Sequence, residues 1–251
     1  MDTADDHLLA ARIAAACGLA LVALRDAAGA DGRRTLGREG DRRSHELIAA
    51  ALGRERPADP VLSEEGAPPA GVGEGPPARL WIVDPLDGTR EYSEGRADFA
   101  VHVALALGGE ALVGAVALPA EGVVLSTGDD ERRAPARPAP AGPPRIAVSR
   151  TRPPAEARHL ASVLGAELVP LGSAGAKTMA VVRGEVDAYV HSGGQYEWDS
   201  AAPVAVARAY GIHACRLDGS PLRYGRRDPW LPDLVVCRPD LVPAIGAALG
   251  W

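Results

Sequence analysis

The chain has 251 residues, enough for one large domain or two closely packed lobes around a substantial core. Hydrophobic residues make up 47% and charged residues 24%, as in ordinary soluble globular proteins. The formal net charge of −6 excludes an electrostatic argument for binding to nucleic acid or to an anionic membrane surface.

The N-terminal segment predicts two helices. Apolar residues recur at helical spacing from Asp5 to about Ala28. Asp41 is a plausible N-cap for a second helix over residues 42–56, which Pro57 ends. The apolar stretches are too short or too interrupted to span a bilayer, so we expect no membrane segment and a cytoplasmic protein.

Short strands are predicted next. The apolar runs at residues 61–63 and 80–83 are typical of buried strands, and each runs directly into acidic residues. An antiparallel meander is predicted to follow, with strands at residues 99–107, 111–118 and 123–127. His102, in the first of these strands and near Asp98, is expected to have a structural role.

The second half alternates strand and helix patterns, which indicates an α/β layer arrangement. The predicted strands are residues 146–148, 167–170, 186–191 and 234–237, and the predicted helices are residues 154–164, 173–183, 199–210 and 240–249. A Pro/Ala/Arg-rich stretch without periodicity precedes them at residues 129–144. We therefore predict an N-terminal lobe over residues 1–128, a surface connection over 129–144, and a C-terminal lobe over 145–251.

The segment Asp-Pro-Leu-Asp-Gly-Thr at residues 84–89 carries the strongest chemical signal. Its proline and glycine force an irregular turn after a strand, which can bring Asp84, Asp87 and the Leu86 carbonyl toward one point. Mg²⁺ prefers oxygen ligands of this kind. The Gly88 and Thr89 amides are placed to hold a phosphate, and the Thr89 hydroxyl to orient a water molecule. Each Asp taken alone is more typical of a turn or cap residue.

Two further acidic elements fit the same chemistry. Glu64 and Glu65 end the strand at 61–63, and Asp199 lies at the predicted start of a helix. The alternative interpretations are an exposed acidic turn for the glutamates and a helix N-cap for Asp199. The three cysteines show neither a disulfide framework nor zinc spacing.

Three sequence strings together resemble the signature motifs of the inositol monophosphatase family: residues 63–65 (Ser-Glu-Glu), 81–89 (Trp-Ile-Val-Asp-Pro-Leu-Asp-Gly-Thr) and 197–202 (Glu-Trp-Asp-Ser-Ala-Ala). The resemblance spans nearly the whole chain. It implies a layered αβαβα sandwich of the inositol monophosphatase and fructose-1,6-bisphosphatase type, usually a homodimer. It also implies two or three Mg²⁺ ions and inhibition by Li⁺.

Carried over residue by residue, the resemblance implies a metal-ligand set and a catalytic set. The implied metal ligands are Glu64, Asp84, the Leu86 carbonyl, Asp87 and Asp199. The implied catalytic residues are Glu64, Asp87 and Thr89, with Thr89 helping to activate the attacking water.

The residues around these motifs resemble the branch that hydrolyses 3′-phosphoadenosine 5′-phosphate. The sequence Arg90-Glu91-Tyr92 replaces the Thr-Asn-Phe of inositol-type enzymes, and Lys177 is the only lysine of the chain. The resemblance implies a small phosphate ester as substrate, which is contacted by Leu86, Gly88, Thr89, Arg90, Gly172, Ser173, Lys177, Glu197 and Asp199. The sulfated relative, 3′-phosphoadenylyl sulfate, is a second expected substrate.

One departure from the family pattern concerns water activation. Many members carry an Asp six residues before the Asp that opens the second helix, and it partners the catalytic threonine. Counting back from Asp41 leads to Thr35. The expectation is therefore that this branch lacks that Asp or builds the 33–40 loop differently.

Other functions stay open on the sequence alone. Inositol phosphates, fructose bisphosphate and histidinol phosphate are alternative substrates, because specificities in the family overlap. A regulatory scaffold that keeps the fold without activity is an alternative of another class. The gathered carboxylates argue against the scaffold, since a scaffold does not need uncompensated acidic groups at one point.

Overall fold

The computed structural model describes residues 3–28, 33–66, 69, 75, 77–129 and 142–251. The helices in these ranges are α1 (Ala4–Ala27), α2 (Arg33–Glu55), α3 (Thr89–Ser93), α4 (Ala155–Leu164), α5 (Ala174–Val182), α6 (Glu197–Ala209) and α7 (Val242–Leu249). The strands are β1 (Val61–Ser63), β2 (Arg79–Asp87), β3 (Ala100–Leu107), β4 (Glu110–Leu118), β5 (Val123–Ser126), β6 (Arg145–Ser149), β7 (Glu167–Leu171), β8 (Ala188–Tyr196), β9 (His213–Cys215) and β10 (Trp230–Cys237).

The strands form two five-stranded sheets. The first has the order β1-β2-β3-β4-β5, with β1 parallel to β2 and the remaining neighbours antiparallel. The predicted meander is therefore confirmed as β3, β4 and β5. The second sheet has the order β7-β6-β8-β10-β9 and mixes parallel and antiparallel pairs. Strand β9 has no counterpart among the predicted elements.

Side-chain alternation along the strands stacks these elements in five layers. In β2, Trp81 and Val83 face a core shared with α1 and α2, whereas Leu80 and Ile82 face a core shared with α5 and α6. The second sheet packs on the other side of α5 and α6 through residues such as Tyr189. Its opposite face packs on α4 and α7. The order helix, sheet, helix, sheet, helix confirms the predicted αβαβα sandwich.

Helix α1 corrects the expectation that no apolar stretch is long enough for a membrane span. It has 24 residues and a mean hydropathy of 1.9 in its most apolar window, so length and composition alone would suffice. Core helices satisfy the same criterion. Here Leu9, Ile13 and Leu21 are buried against the first sheet, so this face of α1 belongs to the protein core.

Helix α2 begins at Arg33 rather than at residue 42, and Asp41 lies within it rather than at its N-cap. The expectation was wrong because Gly37 and Gly40 weaken the helical sequence pattern. Tertiary packing explains both glycines. A Cβ at Gly37 would lie 2.7 Å from Thr89 Cγ2, and a Cβ at Gly40 would lie 2.9 Å from Leu86 Cδ2. Glycine thus lets α2 approach the turn at residues 84–89 closely.

Strand β2 also runs further than predicted. It continues through Asp87, with a register shift against β3 between Asp84 and Asp87. Pro85 lies in this bulge, where the absence of its N–H costs no ladder hydrogen bond. The irregularity turns the carboxylates of the segment away from a regular strand pattern.

The remaining predicted elements are confirmed with shifted ends. Strands β8 and β10 are longer than predicted, and α6 begins two residues earlier, at Glu197. Most of the predicted connection at 129–144 lies outside the described residues. The division into lobes 1–128 and 145–251 therefore stays a prediction.

Candidate active site

Three carboxylates form an acidic group where β2 ends and α6 begins. Asp84, Asp87 and Asp199 each offer an oxygen atom, and these atoms all lie within 4.8 Å of one another. Asp84 and Asp87 are buried, while Asp199 is less enclosed. The sequence prediction that these three residues meet is confirmed in its geometry. The hydrogen bonds and pKa shifts of these carboxylates indicate whether they can bind a metal.

Asp87 has one oxygen fully engaged by the protein. Its Oδ2 accepts hydrogen bonds from the Ser173 hydroxyl (2.5 Å) and the Gly175 amide (2.7 Å), and it lies 3.3 Å from His102 Nε2. Burial acts to raise the pKa of Asp87, but His102, Lys177 and Ser173 together hold that pKa well below its usual range. Asp87 is therefore an ionised carboxylate with its Oδ1 available to a ligand.

Asp84 and Asp199 also each have one carboxylate oxygen that accepts a hydrogen bond from the backbone. Asp84 Oδ1 accepts the Leu86 amide (3.0 Å), and Asp199 Oδ2 accepts the Tyr196 amide (2.6 Å). Burial, followed by the charge of Asp87, raises the pKa of Asp84 well above its usual value and that of Asp199 to about 6. Carboxylates that repel one another in a buried place are stabilised by a cation, and hard oxygen donors suit Mg²⁺. The donor set fits the predicted metal.

Glu64 lies outside this tight group, at the turn after β1. Its pKa is raised to about 7 by partial burial and then by the charges of Asp199, Asp41 and Asp87. Glu64 is thus close enough for the charges of Asp199 and Asp87 to raise its pKa, although it does not belong to the group of three carboxylates. Its predicted role as a ligand stays a prediction. The same holds for the Leu86 carbonyl, which accepts the Thr89 hydroxyl at 3.1 Å.

Asp41 is the hydrogen-bond partner of Thr89, and residues 33–40 form the first part of helix α2 rather than a loop, which agrees with the second of the two alternatives drawn from the sequence. The Thr89 hydroxyl lies 3.3 Å from Asp41 Oδ1. The count from Asp41 back to Thr35 was wrong because it took Asp41 as the start of a helix that begins at Arg33. Burial and the charge of Glu65 raise the pKa of Asp41 to about 7, although the hydrogen bond from Thr89 lowers it.

The predicted substrate contacts at the start of α5 are largely engaged with the protein itself. The Gly172 amide donates to Asp98 Oδ2 (2.6 Å), and the Ser173 hydroxyl donates to Asp87. The Lys177 ammonium donates to the carbonyls of Gly172 (3.1 Å) and Ser173 (2.7 Å) and lies 5.0 Å from the Tyr189 ring centroid. Burial lowers the pKa of Lys177, and neighbouring carboxylates, Asp87 first, oppose that shift. Lys177 therefore stabilises the backbone conformation of Gly172 and Ser173.

Ser173 adopts a φ of +48°, the one positive φ among the described non-glycine residues. This conformation is costly for a residue with a Cβ. It lets the same hydroxyl accept the Ala176 amide at 2.9 Å as the N-cap of α5 while donating to Asp87. The strained residue thus joins the helix end to the acidic group.

Glu197, a predicted substrate contact, is engaged with the protein itself, and its role toward a substrate stays a prediction. It is fully buried, and its carboxylate accepts the amides of Gly225 (2.7 Å) and Arg226 (3.0 Å). These contacts tie the start of α6 to the chain before β10. Glu197 is close to Asp199 in sequence, but residues near a helix start face different directions, and here the Glu197 side chain faces the chain before β10.

A cavity of about 620 Å³ opens beside the acidic group. Asp87 and Asp199 line it, together with Gly88, Arg90, Gly172, Ser173 and Lys177 from the sequence prediction. Arg90 is a rim residue whose Nε donates to Glu94 at 2.9 Å, and its side chain is 66% exposed. Arg90 thus lies at the rim of the cavity and is paired with Glu94, and its predicted contact with the substrate stays a prediction.

Sequence reasoning missed two further cations that line the cavity, Arg150 and Arg152, which form its cationic wall. Arg150 bridges Glu91 and Glu94, each at 2.6 Å. Arg152 lies two residues further on, and no carboxylate pairs with its guanidinium among the residues that the structure describes. The sequence Arg-Thr-Arg directly after β6 was the available signal, since strand ends build the sites of this fold.

Aromatic residues complete the wall on the side of β8. Tyr196 lines the cavity, is 45% exposed, and stacks on Trp198 with ring centroids 4.8 Å apart and planes 13° apart. Tyr189 and His191 also line the cavity. The cavity therefore joins an acidic end, a cationic wall and an aromatic face, which suits an anionic ligand with a flat ring.

Comparison with known proteins agrees with this geometry. The sequence profile described as "Inositol monophosphatase family" matches residues 10–241. A protein of Mycobacterium leprae named 3′-phosphoadenosine 5′-phosphate phosphatase is 49% identical over 253 residues, covering 96% of this chain and 92% of its own. The 3′(2′),5′-bisphosphate nucleotidase CysQ of Escherichia coli K12 is 32% identical, covering 75% and 79%. The structure of CysQ from Bacteroides thetaiotaomicron has a TM-score of 0.79 at 25% identity, covering 93% and 97%.

Proposed function

The chain belongs to the inositol monophosphatase family, and on this premise we propose that it hydrolyses the 3′-phosphate of 3′-phosphoadenosine 5′-phosphate in a Mg²⁺-dependent reaction. The products are AMP and inorganic phosphate. One observation carries the proposal: Asp87 and Asp199 line the same cavity as Arg150 and Arg152, and Asp84 adjoins the two aspartates. The names of the mycobacterial relatives at 49% identity support the choice of substrate. We include 3′-phosphoadenylyl sulfate as a second substrate.

The metal site in this proposal consists of Asp84, Asp87 and Asp199, with Glu64 and the Leu86 carbonyl as further ligands. We propose two or three Mg²⁺ ions, with Li⁺ as an inhibitor that competes for the same oxygen atoms. Bound Mg²⁺ supplies an activated water and stabilises charge on the phosphoryl and departing oxygens. The engaged oxygen of each Asp keeps its carboxylate oriented for this purpose.

Thr89 and Asp41 orient the attacking water. The Thr89 hydroxyl has one proton, which it directs to Asp41 or to the Leu86 carbonyl. Its lone pairs are then free to accept a hydrogen bond from water, and this fixes the direction of the oxygen that attacks phosphorus. The water oxygen forms a bond to phosphorus as the bond from phosphorus to the 3′-oxygen breaks. The proton that the water gives up balances the proton that the 3′-oxygen takes up to become the 3′-hydroxyl of AMP.

The remaining substrate groups are assigned to the other walls. Arg152 is placed to bind the 5′-phosphate, because its guanidinium is not matched by a carboxylate among the described residues. Arg150 keeps the Glu91 side of the wall in place through its two ion pairs. Tyr196 offers its ring to the adenine base. Inositol phosphate has neither a second phosphate nor a flat ring to use these contacts.

The experiment that tests this proposal identifies the phosphate that leaves. ³¹P NMR of 3′-phosphoadenosine 5′-phosphate with the protein and Mg²⁺ should show loss of the 3′ signal, with the 5′ signal of AMP retained. Release of the 5′-phosphate would contradict the assignment of Arg152. Release in the presence of excess EDTA would contradict the metal requirement.

We further propose that the chain is a cytoplasmic homodimer. Light scattering after size-exclusion chromatography measures the mass directly, with 25.9 kDa expected for one chain. A mass near that of one chain at micromolar concentration would contradict the dimer.

A further inference from the structure

His102 connects the two segments that carry the acidic group. It lies in β3, opposite Asp84 in the register with β2, and it is fully buried. Its Nδ1 lies 3.0 Å from the Trp198 carbonyl. A carbonyl only accepts, so Nδ1 carries a proton and donates it. Trp198 directly precedes Asp199, and this bond therefore fixes the start of α6 relative to the first sheet.

The other ring nitrogen faces the turn after β2. His102 Nε2 lies 3.3 Å from Asp87 Oδ2 and has no well-aligned hydrogen-bond partner among the described residues. Facing the ionised Asp87 carboxylate, Nε2 also carries a proton, so the ring is an imidazolium that attracts Asp87. One imidazole ring thus touches the Asp87 side of the acidic group and the Asp199 side of it.

The packing around His102 leaves little freedom for the ring. A Cβ at Gly175 would lie 2.1 Å from His102 Nε2 and 3.0 Å from Ala100 Cβ. Only a glycine at the start of α5 allows the ring to remain where it is. The Gly175 amide meanwhile donates to the same Asp87 oxygen. Three elements, β3, α5 and α6, therefore meet at one imidazole and one carboxylate oxygen.

We propose that His102 is a positioning residue that sets the separation of Asp87 and Asp199 and thereby the Mg²⁺ affinity of the site. The proposal rests on the proposed function, since it concerns the same metal site. His102 binds no substrate and no metal in this account. Partners that orient metal ligands commonly change metal affinity 10–100-fold when they are removed. Substitution of a residue that only packs in the core would lower folding stability and leave the Mg²⁺ affinity unaltered.

Two substitutions separate the two contacts. In His102→Asn the amide nitrogen takes the place of Nδ1, so the bond to Trp198 is kept and the contact with Asp87 is lost. In His102→Gln the amide nitrogen takes the place of Nε2, so the reverse holds. His159→Asn is the matched control, because His159 lies on α4 and forms its hydrogen bond with the Ala248 carbonyl, away from the acidic group.

Isothermal titration calorimetry with Mg²⁺ alone gives the readout without turnover. We expect both His102 variants to bind Mg²⁺ about 10–100-fold more weakly than the unmodified chain and His159→Asn to bind it equally well. Affinities within twofold of the unmodified chain in both His102 variants would overturn the proposal. A lowered melting temperature in EDTA with unaltered Mg²⁺ affinity would also overturn it. Absence of Mg²⁺ binding by the unmodified chain would instead overturn the proposed function.

A second measurement needs no substitution and applies if the variants fail to fold. With ¹⁵N-labelled histidine, Mg²⁺ titration of the unmodified chain should shift the ring signals of the buried histidine, with a midpoint equal to the calorimetric Kd. Unmoved ring signals at saturating Mg²⁺ would contradict the proposal.

Discussion

The Thr89 hydroxyl lies 3.3 Å from Asp41 Oδ1, which joins the turn after β2 to the middle of helix α2. Gly37 and Gly40 make this contact possible, because a Cβ at either position would collide with the turn. The pair is the structural basis of the proposed water orientation. It also leads to the first prediction.

Loss of the acceptor at Asp41 should lower turnover more than substrate binding. We expect Asp41→Asn and Thr89→Ala to lower kcat by about 10²–10³-fold with KM for 3′-phosphoadenosine 5′-phosphate within threefold, because positioned proton-transfer groups contribute at this scale. Thr89→Ser keeps the hydroxyl and should retain most of the activity. A Thr89→Ala variant with near-normal kcat would contradict the role of the hydroxyl.

Removal of one buried charge should separate metal binding from folding. Asp84→Asn keeps an acceptor for the Leu86 amide but removes the charge that Asp87 and Asp199 repel. We expect it to abolish Mg²⁺ binding and to raise the melting temperature in EDTA at pH 8 by a few degrees, since about 1 kcal/mol corresponds to about 2–4 °C at this chain length. Calorimetry and thermal unfolding measure the two effects. Asp5→Asn, at an exposed position, is the control, and a folded Asp84→Asn variant that binds Mg²⁺ normally would contradict the ligand assignment.

The metal-free protein should lose stability as the pH rises from 6.5 to 8. Glu64 and Asp41 have pKa values raised to about 7, so the folded state holds protons that the unfolded chain has released. Where the folded state binds more protons, stability falls with rising pH. The lowered pKa values of His191 and His213 act in the opposite sense, but only below their usual value near 6.5.

Mg²⁺ should reverse this trend, because it binds the deprotonated carboxylates and its affinity rises with pH. Thermal unfolding at pH 6.5 and pH 8, in EDTA and in 5–10 mM Mg²⁺ (roughly saturating for an ordinary site), measures both slopes. Equal slopes in the two conditions would contradict the coupling between the carboxylates and the metal.

Specificity should depend on Arg152 rather than on Arg90. We expect Arg152→Ala to raise KM for 3′-phosphoadenosine 5′-phosphate by about 10–100-fold, because a hydrogen bond to a charged group contributes about 1.5–3 kcal/mol. Arg90→Ala should change KM less than threefold, since Arg90 is largely exposed and paired with Glu94. Steady-state kinetics on both variants measures the contrast. A larger effect for Arg90→Ala would restore the interpretation drawn from the sequence.

Close packing between the first sheet and α6 should make Gly114 sensitive to substitution. A Cβ at Gly114 would lie 2.8 Å from the Ala202 carbonyl oxygen and 2.8 Å from Ala205 Cβ, so backbone must shift. We expect Gly114→Ala to destabilise the fold by about 1–3 kcal/mol. Gly53→Ala is the matched control: nothing lies within 4 Å of its Cβ, and alanine in a helix should stabilise by about 0.5–1 kcal/mol. Chemical denaturation measures both, and equal stabilities of the two variants would contradict the packing argument.

The sequence was sufficient to predict the layered fold and the proximity of Asp84, Asp87 and Asp199. Strand alternation, helical periodicity and strand-end acids are local signals, and the resemblance to the family arranged them in space. Helix α2 was predicted too short because the glycines that weaken its local propensity are required by tertiary contacts with Leu86 and Thr89. Local propensity cannot express that requirement.

The walls of the cavity were harder to predict for a related reason. Glu197 adjoins the metal motif in sequence, yet its carboxylate is directed to Gly225 and Arg226. Arg152 is 47 residues before Asp199 in the sequence and shares its cavity. Such placements depend on how two sheets pack across α5 and α6. A single residue outside a helical or strand pattern does not reveal, from its sequence position alone, where that packing will place its side chain.

The most direct test of the account compares kcat/KM for 3′-phosphoadenosine 5′-phosphate, inositol 1-phosphate and fructose 1,6-bisphosphate, each with Mg²⁺ and with EDTA. The account predicts hydrolysis only with Mg²⁺ and a preference for the nucleotide of at least about 100-fold, which corresponds to about 2.7 kcal/mol from the cationic and aromatic walls. A preference for inositol 1-phosphate or fructose 1,6-bisphosphate with Mg²⁺ would keep the acidic site but contradict the roles of Arg152 and Tyr196. Absence of hydrolysis of all three substrates with Mg²⁺ would contradict the central claim.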